Sequence, residues 1–402
     1  MKLSQRAKEI SLSVTLALDA KAKALAQSGR DVVNMSVGEP DFDTPRVARE
    51  AATALIRGGA VRYTPAAGTL ALRQAVARYL EATRGGEWTS EEITICHSTK
   101  HALSGAIHAL VDPKDEVLLL LPAWVSYVEI VKLAGGVPVS VPGRPDCGPD
   151  FAAIERAITP RTKALLLNSP SNPTGYVWTR EEVARLGRLC VERGLWLISD
   201  EIYRRLVYEG DPNPSPASLA RDVRERTVVL DGASKSFAMT GWRIGFVAAQ
   251  KSVAAAVERL HSHLVGAPNT VSQAAYMAAL VAPGSEPEEV VNMVAEFDRR
   301  RRFLMGELDS MGLVTPSPRG AFYAFPNVER YLDARGSIGL CEDMLESEGL
   351  ALVPGAAFGV DTHVRLSYAT SMEKIAEAAR RMRRFLAARQ VSRASQVAPR
   401  AR

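Results

Sequence analysis

The run Arg180-Glu181-Glu182-Val183-Ala184-Arg185-Leu186-Gly187-Arg188-Leu189-Cys190-Val191-Glu192-Arg193, followed after Gly194 by Leu195-Trp196-Leu197-Ile198-Ser199-Asp200, decides the fold class. An amphipathic helical pattern leads into a short apolar strand that stops at a carboxylate. Short apolar runs recur at residues 116–121, 164–168, 227–231 and 244–249. Amphipathic stretches of about ten to fifteen residues separate several of them. That alternation predicts a mostly parallel sheet with helices on both faces. Polar segments bearing Pro and Gly follow the strands, and in open sheets of this kind ligands bind at the carboxyl-end rim.

The chain has 402 residues, long for one core, so a large α/β domain with a smaller α+β domain is expected. Residues 1–45 read as an N-terminal helix and entry loop that join the small domain, and 46–284 as the large domain. A charged helix, a strand-like 320–325 and the run 364–367 place the small domain at 285–390, and the polar stretch 391–402 reads as a disordered tail. Apolar residues make up 47% and charged residues 24%, which is ordinary for a globular protein. The net charge of +5 is modest, and the one dense basic run, Arg299 to Arg302, lies in a helical pattern and reads as a solvated face. Nucleic-acid binding is not expected. No membrane span or signal-type segment stands out, so a cytoplasmic location is expected. Cys96, Cys147, Cys190 and Cys341 are far apart in sequence, without metal-ligand spacing, and read as reduced thiols with no metal site.

Several strand ends carry chemistry. Lys235, preceded by Ser234, follows the strand at 227–231, and Arg243 comes one short loop later. Lysine forms Schiff bases and a guanidinium fork matches phosphate, which together suit an aldehyde that carries a phosphate, pyridoxal 5'-phosphate (PLP). Asp200 either caps the next element or pairs with a ring nitrogen, keeping a pyridinium protonated. Asn172, in Asn168-Ser169-Pro170-Ser171-Asn172-Pro173-Thr174-Gly175, is a turn residue or an amide donor to a phenolic oxygen. Tyr203 is a packing aromatic or a second donor to that oxygen. Trp124, after Leu121-Pro122-Ala123, belongs to the core or stacks on a planar ring. Ser98 and Thr99 precede a helix at 100–110 and offer a cap or a phosphate cradle. Arg365, inside the apolar 363–368, awaits a structural carboxylate or a substrate's.

With Val37-Gly38-Glu39-Pro40-Asp41-Phe42 and Arg62-Tyr63-Thr64-Pro65 added, these motifs over residues 3–388 resemble the class I aminotransferases of PLP fold type I. The similarity is to the branch of bacterial aspartate and aspartate/prephenate aminotransferases. It implies PLP bound to Lys235, which is also the acid and base, with Asp200 on the ring nitrogen. It implies Asn172 and Tyr203 on the phenolic oxygen, and Ser98, Thr99, Ser234 and Arg243 on the phosphate, with Trp124 on the ring. It implies a homodimer with shared active sites, Tyr63 reaching the neighbouring subunit's phosphate. Arg365 beside the Gly38 backbone would take the substrate α-carboxylate, and Lys100 is either a solvated helix residue or a contact to a distal carboxylate. The implied reaction moves an amino group from an L-amino acid, aspartate or glutamate, to a 2-oxo acid.

The chain departs from the branch at three places. Cys96-His97-Ser98-Thr99 is bulkier where position 98 is usually glycine, Ala123 replaces a common aromatic, and residues 262–268 replace a Ser- and Thr-rich run. A C–S β-lyase or another specialised PLP enzyme on the same scaffold is the alternative. A PLP-sensing regulator is remote, since it would need a DNA-binding domain and only about 35 residues precede Gly38.

Overall fold

Residues 2–10, 14–209, 214–281 and 287–397 are described by a computed structural model of the chain. A two-residue strand, β1 (Val33–Asn34), precedes a seven-stranded sheet. The sheet comprises β2 (Ile93–Cys96), β3 (Glu116–Leu120), β4 (Val137–Val141), β5 (Thr162–Asn168), β6 (Trp196–Asp200), β7 (Thr227–Gly232) and β8 (Gly245–Ala248). Their order is β2-β8-β7-β6-β5-β3-β4. Only β8 runs against its neighbours, antiparallel to both β7 and β2. The other pairs are parallel, as the alternation predicts.

The apolar runs lack polar alternation because both faces of the sheet are covered. Side chains alternate across a strand, so Ala164 and Leu166 of β5 join one core while Leu165 and Leu167 join another. The first core includes helices Thr99–Leu110 and Lys251–Leu264, and the second includes Phe151–Ala157 and Arg180–Arg193. Helix Arg180–Arg193 has the predicted limits. Thr179 and Glu182 form a capping box at its start and Gly194, at φ 69°, closes it in the left-handed region. Substituting such a cap typically costs about 1 kcal/mol.

The later chain supplies β9 (Tyr323–Ala324), β10 (Leu350–Ala351), β11 (Val353–Pro354) and β12 (Val364–Ser367). Antiparallel β11-β12-β9 form a second sheet, and β1 pairs parallel with β10. The strand-like 320–325 is thus a strand only at Tyr323–Ala324. The expected boundary between residues 284 and 285 lies outside the described residues.

Two expectations change. Helix Met372–Val397 runs through 391–397, where a disordered tail was expected. Arg393, Ala394 and Gln396 are good helix formers, and extending a helix is far easier than starting one. Residues 398–402 of that tail lie outside the described residues. The basic run within helix Glu288–Ser310 is only half solvated: Arg300 and Arg301 are buried. Arg300 pairs with Asp41 and Glu296, and Arg301 with Asp298 and Glu209, so the helix is tied to distant loops through charge. Such partners offset the cost of burying an arginine. Among the described residues no helix is long and apolar enough to cross a membrane.

Candidate active site

The carboxyl ends of β2, β3 and β5–β7 share one rim, and because β8 runs the other way its first residues start there too. This puts Asp200, the segment after Gly232 and the loop before Gly245 side by side. A cleft of about 680 Å³ opens above them. It is lined by Gly38, Ser98, Thr99, Lys100, Trp124, Asn172, Asp200, Tyr203, Ser234, Lys235, Arg243 and Arg365. Tyr63 is the one sequence candidate not brought there; its side chain is fully exposed.

Lys235 sits in the short helix Ala233–Ser236 directly after β7, and its Nζ donates to the Gly38 carbonyl. Burial pulls its ammonium down to about 8, with Arg243, Arg365 and Lys100 acting the same way against Glu39. Asp200 ends β6, buried, and accepts from Tyr127 Oη at 2.8 Å and from the Ile202 amide at 3.2 Å. Burial raises its carboxyl to about 6, the Tyr127 hydroxyl opposing. Among the described residues this acid has no cationic partner, which a protonated ring nitrogen would supply. The turn-capping reading is also met, through Ile202.

Arg365 stands on β12, with NH1 donating to Asn172 Oδ1 at 2.9 Å and NH2 to the Ser36 carbonyl at 2.7 Å. Its guanidinium lies 4.4 Å from the Tyr323 ring centre, and its Nε is buried without a partner. The amide oxygen of Asn172 is thereby occupied, leaving its NH2 as the donor. Tyr203 Oη lies 2.8 Å from Tyr323 Oη, and burial raises its phenol far above the ordinary range, so it remains a donor. Lys100 Nζ rests 4.9 Å from the Trp124 ring centre, its pKa lowered by burial and by Arg243.

At the other end, Ser98 caps helix Thr99–Leu110, and Thr99 Oγ1 is buried with no hydrogen-bond partner. Thr99 is thus the first helical residue rather than one before it. The helix start fits only because β7 and β8 carry glycines: a Cβ on Gly245 would lie 2.6 Å from the Thr99 nitrogen, and one on Gly232 2.8 Å from its Oγ1. Arg243 is exposed, at φ 51°, its NH1 on the Thr240 carbonyl. An orphaned hydroxyl at a helix N-terminus beside an arginine could hold phosphate. With a low-pKa amine and an uncompensated acid in the same cleft, the lining fits PLP.

Sequence reading missed Tyr127, Tyr323, Asn168 and Ser36. Tyr127 lies three residues past Trp124 on the next helix, and Tyr323 pairs in register with Ser367. Asn168 is the last residue of β5; its Nδ2 donates to the Asp200 carbonyl and its Oδ1 accepts from the Asn172 amide. Its place at a strand end was a usable sign, whereas Tyr323 gave none.

The sequence matches the family model "Aminotransferase class I and II" over residues 30–382. The aspartate aminotransferase of Geobacillus stearothermophilus is 40% identical over 395 residues, spanning 97% of this chain and 100% of the relative. The aspartate/prephenate aminotransferase of Thermus thermophilus is 43% identical over 387 residues, spanning 96% and 98%. A solved structure of the aspartate aminotransferase from Thermus thermophilus with maleate superposes with a TM-score of 0.92 at 41% identity, covering 96% of this chain and 100% of that one. Motifs, full-length relatives and shared architecture agree, and the chain belongs to the class I and II aminotransferases, enzymes that depend on PLP.

Proposed function

We propose that the protein moves an amino group from aspartate or glutamate to a 2-oxo acid, as a cytoplasmic homodimer whose active sites are shared. The carrying observation is that Lys235, Asp200 and Arg365 line one cleft. Curated relatives act as aspartate aminotransferases, and one solved relative holds maleate, a dicarboxylate. Four free cysteines agree with a reducing compartment.

PLP, when bound, supplies an aldehyde that condenses with amines and a ring that accepts the electron pair left by the departing α-proton. Lys235, with its pKa near 8, keeps a useful fraction of neutral amine near pH 7. It would be the nucleophile toward the aldehyde, and would later take the proton from the substrate α-carbon at Nζ and deliver it to the carbon that had carried the aldehyde oxygen. Asp200, held by Tyr127, keeps the ring nitrogen protonated. Asn172 and Tyr203 donate to the phenolic oxygen. Ser98, Thr99, Ser234 and Arg243 hold the phosphate, joined by Tyr63 of the neighbouring subunit, and Trp124 covers the ring. Arg365, oriented by Asn172 and Ser36 beside Gly38, binds the α-carboxylate. Lys100 at the rim offers a cation to a distal carboxylate.

The test follows the cofactor's yellow absorbance as the PLP-loaded enzyme meets a panel of amino acids. Aspartate and glutamate are expected to bleach it fastest, and Lys235→Ala to slow turnover at least about a hundredfold. Ammonia and pyruvate released without a 2-oxo acid acceptor, or no bleaching by either dicarboxylic amino acid, would overturn the reading.

A further inference from the structure

The segment Cys96-His97-Ser98-Thr99 has a second face. Ser98 and Thr99 turn to the cleft, while Cys96, His97 and His101 turn away, toward His261 on helix Lys251–Leu264. Ring centres of His101 and His261 are 4.7 Å apart, and those of His97 and His261 5.6 Å. Cys96 Sγ, a nitrogen of His101 and a nitrogen of His261 all lie within 4.8 Å of one another.

His261 is only 1% exposed, yet neither ring nitrogen has a hydrogen-bond partner. Leaving a buried polar atom unsatisfied is costly, so this ring lacks something that its neighbours can help to hold. We propose that Cys96, His101 and His261 form a site for a zinc-class divalent metal that ties helix Thr99–Leu110 to helix Lys251–Leu264, with His97, whose ring centre lies 5.6 Å from that of His261, swinging in as a fourth donor.

One sulfur and two or three imidazoles suit zinc, whereas magnesium and calcium prefer oxygen. Tetrahedral zinc needs donor separations of roughly 3.3–3.6 Å, so the cluster must close by about 1 Å, which side-chain rotation supplies. His97 Nε2 lies 3.0 Å from the Ala267 carbonyl; donating there leaves Nδ1 unprotonated for the metal. His101 Nδ1 takes only a long bond, 3.3 Å, from the His97 amide, which is readily surrendered. Cys96 Sγ makes a weak contact of 3.6 Å to the Thr94 carbonyl. Because the thiolate is the ligand, binding must release the Cys96 proton to solvent. The site lies behind the cleft rather than in it, and its role would be structural support of the helix start that bears Ser98 and Thr99.

The holoenzyme is stripped with a chelator, dialysed against micromolar zinc chloride, and its metal counted by mass spectrometry. Wild type should hold about one zinc per chain and melt a few degrees higher with it. His261→Leu, which removes the unpartnered polar ring, should fold, keep its PLP and metal-free activity, and bind at least tenfold less zinc. Cys96→Ser and His101→Gln serve the same purpose should His261→Leu fail to fold. Cobalt in place of zinc should give the intense visible bands of a tetrahedral site, lost in Cys96→Ser. No zinc in wild type, equal zinc in the variants, or weak octahedral cobalt bands would each overturn the proposal.

Discussion

The charges at Asp200 and Lys235 are held at a cost. Asp200 stands near 6 against an ordinary value close to 4, and two units correspond to roughly 3 kcal/mol between its protonation states. The sign follows from linkage: between pH 4 and 6 the folded chain binds more protons than the unfolded one, so this group's contribution to stability falls as pH rises. Its penalty is complete above pH 6 and absent below about 4. Asp200→Asn should therefore raise the stability of the PLP-free protein at pH 7 by about 1–3 kcal/mol, with the gain fading toward pH 4, while removing activity. Urea unfolding at both pH values checks this; equal stability of the two proteins at pH 7 would count against a desolvated carboxylate. Lys235 behaves in the mirror sense, its penalty lifting as pH rises from about 8 toward 10.5. The orphaned Thr99 Oγ1 and Arg365 Nε belong to the same pattern of polar atoms buried for a ligand.

Among the elements, helix Thr99–Leu110 starts on strained backbone. Its cap, Ser98, lies at φ 115° and ψ 162°, a region that only glycine occupies freely. The glycine expected here from the family resemblance is thus what the backbone favours. The Ser98 hydroxyl accepts only a 3.4 Å bond from the His101 amide, and a glycine cap gives up a few tenths of a kcal/mol. Relief of the backbone is worth about 1–3 kcal/mol. Ser98→Gly should accordingly stabilise the protein by about 1 kcal/mol, read as a rise of a few degrees in Tm. A fall in Tm would mean that the hydroxyl does more than cap. The close approach of Thr99 to Gly232 and Gly245 ties the position of this helix start to two strands, so element packing and ligand geometry are one problem.

Across the molecule, the cleft draws on both sheets: Asp200 and the Lys235 segment from β6 and β7, Tyr323 and Arg365 from β9 and β12, and Gly38 from the loop after β1. Beneath it, Arg84 pairs with Glu201 and Asp231 at 2.7 Å each, fully buried, and joins helix Leu70–Arg84 to the ends of β6 and β7. Tyr63 does not line this cleft and is fully exposed, and Val61, Leu264 and Val265 are exposed apolar residues as well. A role for it requires a second chain. Equal mixing of Tyr63→Phe and Lys235→Ala chains, each nearly inactive alone, should restore roughly a quarter of the wild-type sites, since only mixed dimers carry one intact site. No recovery after verified subunit exchange would place Tyr63 outside the neighbour's active site.

What the sequence determined by itself is the chemistry at strand ends. Lys235, Asp200, Asn172 and Arg365 were legible because a strand's period and the residue at its end are local facts, and buried charges are rare enough to stand out. The long helices were legible for the same reason. Only the tertiary structure decided which distant side chains meet. Tyr323 reaches Tyr203 through the register of β9 on β12, and Tyr127 reaches Asp200 across two elements. Arg300 and Arg301 turn inward because of what packs against their helix. Cys96, expected to be an isolated thiol, gains His261 as a neighbour from 165 residues away, a closeness that no spacing rule could reveal. Contacts of that kind depend on how whole elements pack, and packing is a property of the folded chain rather than of any window along it.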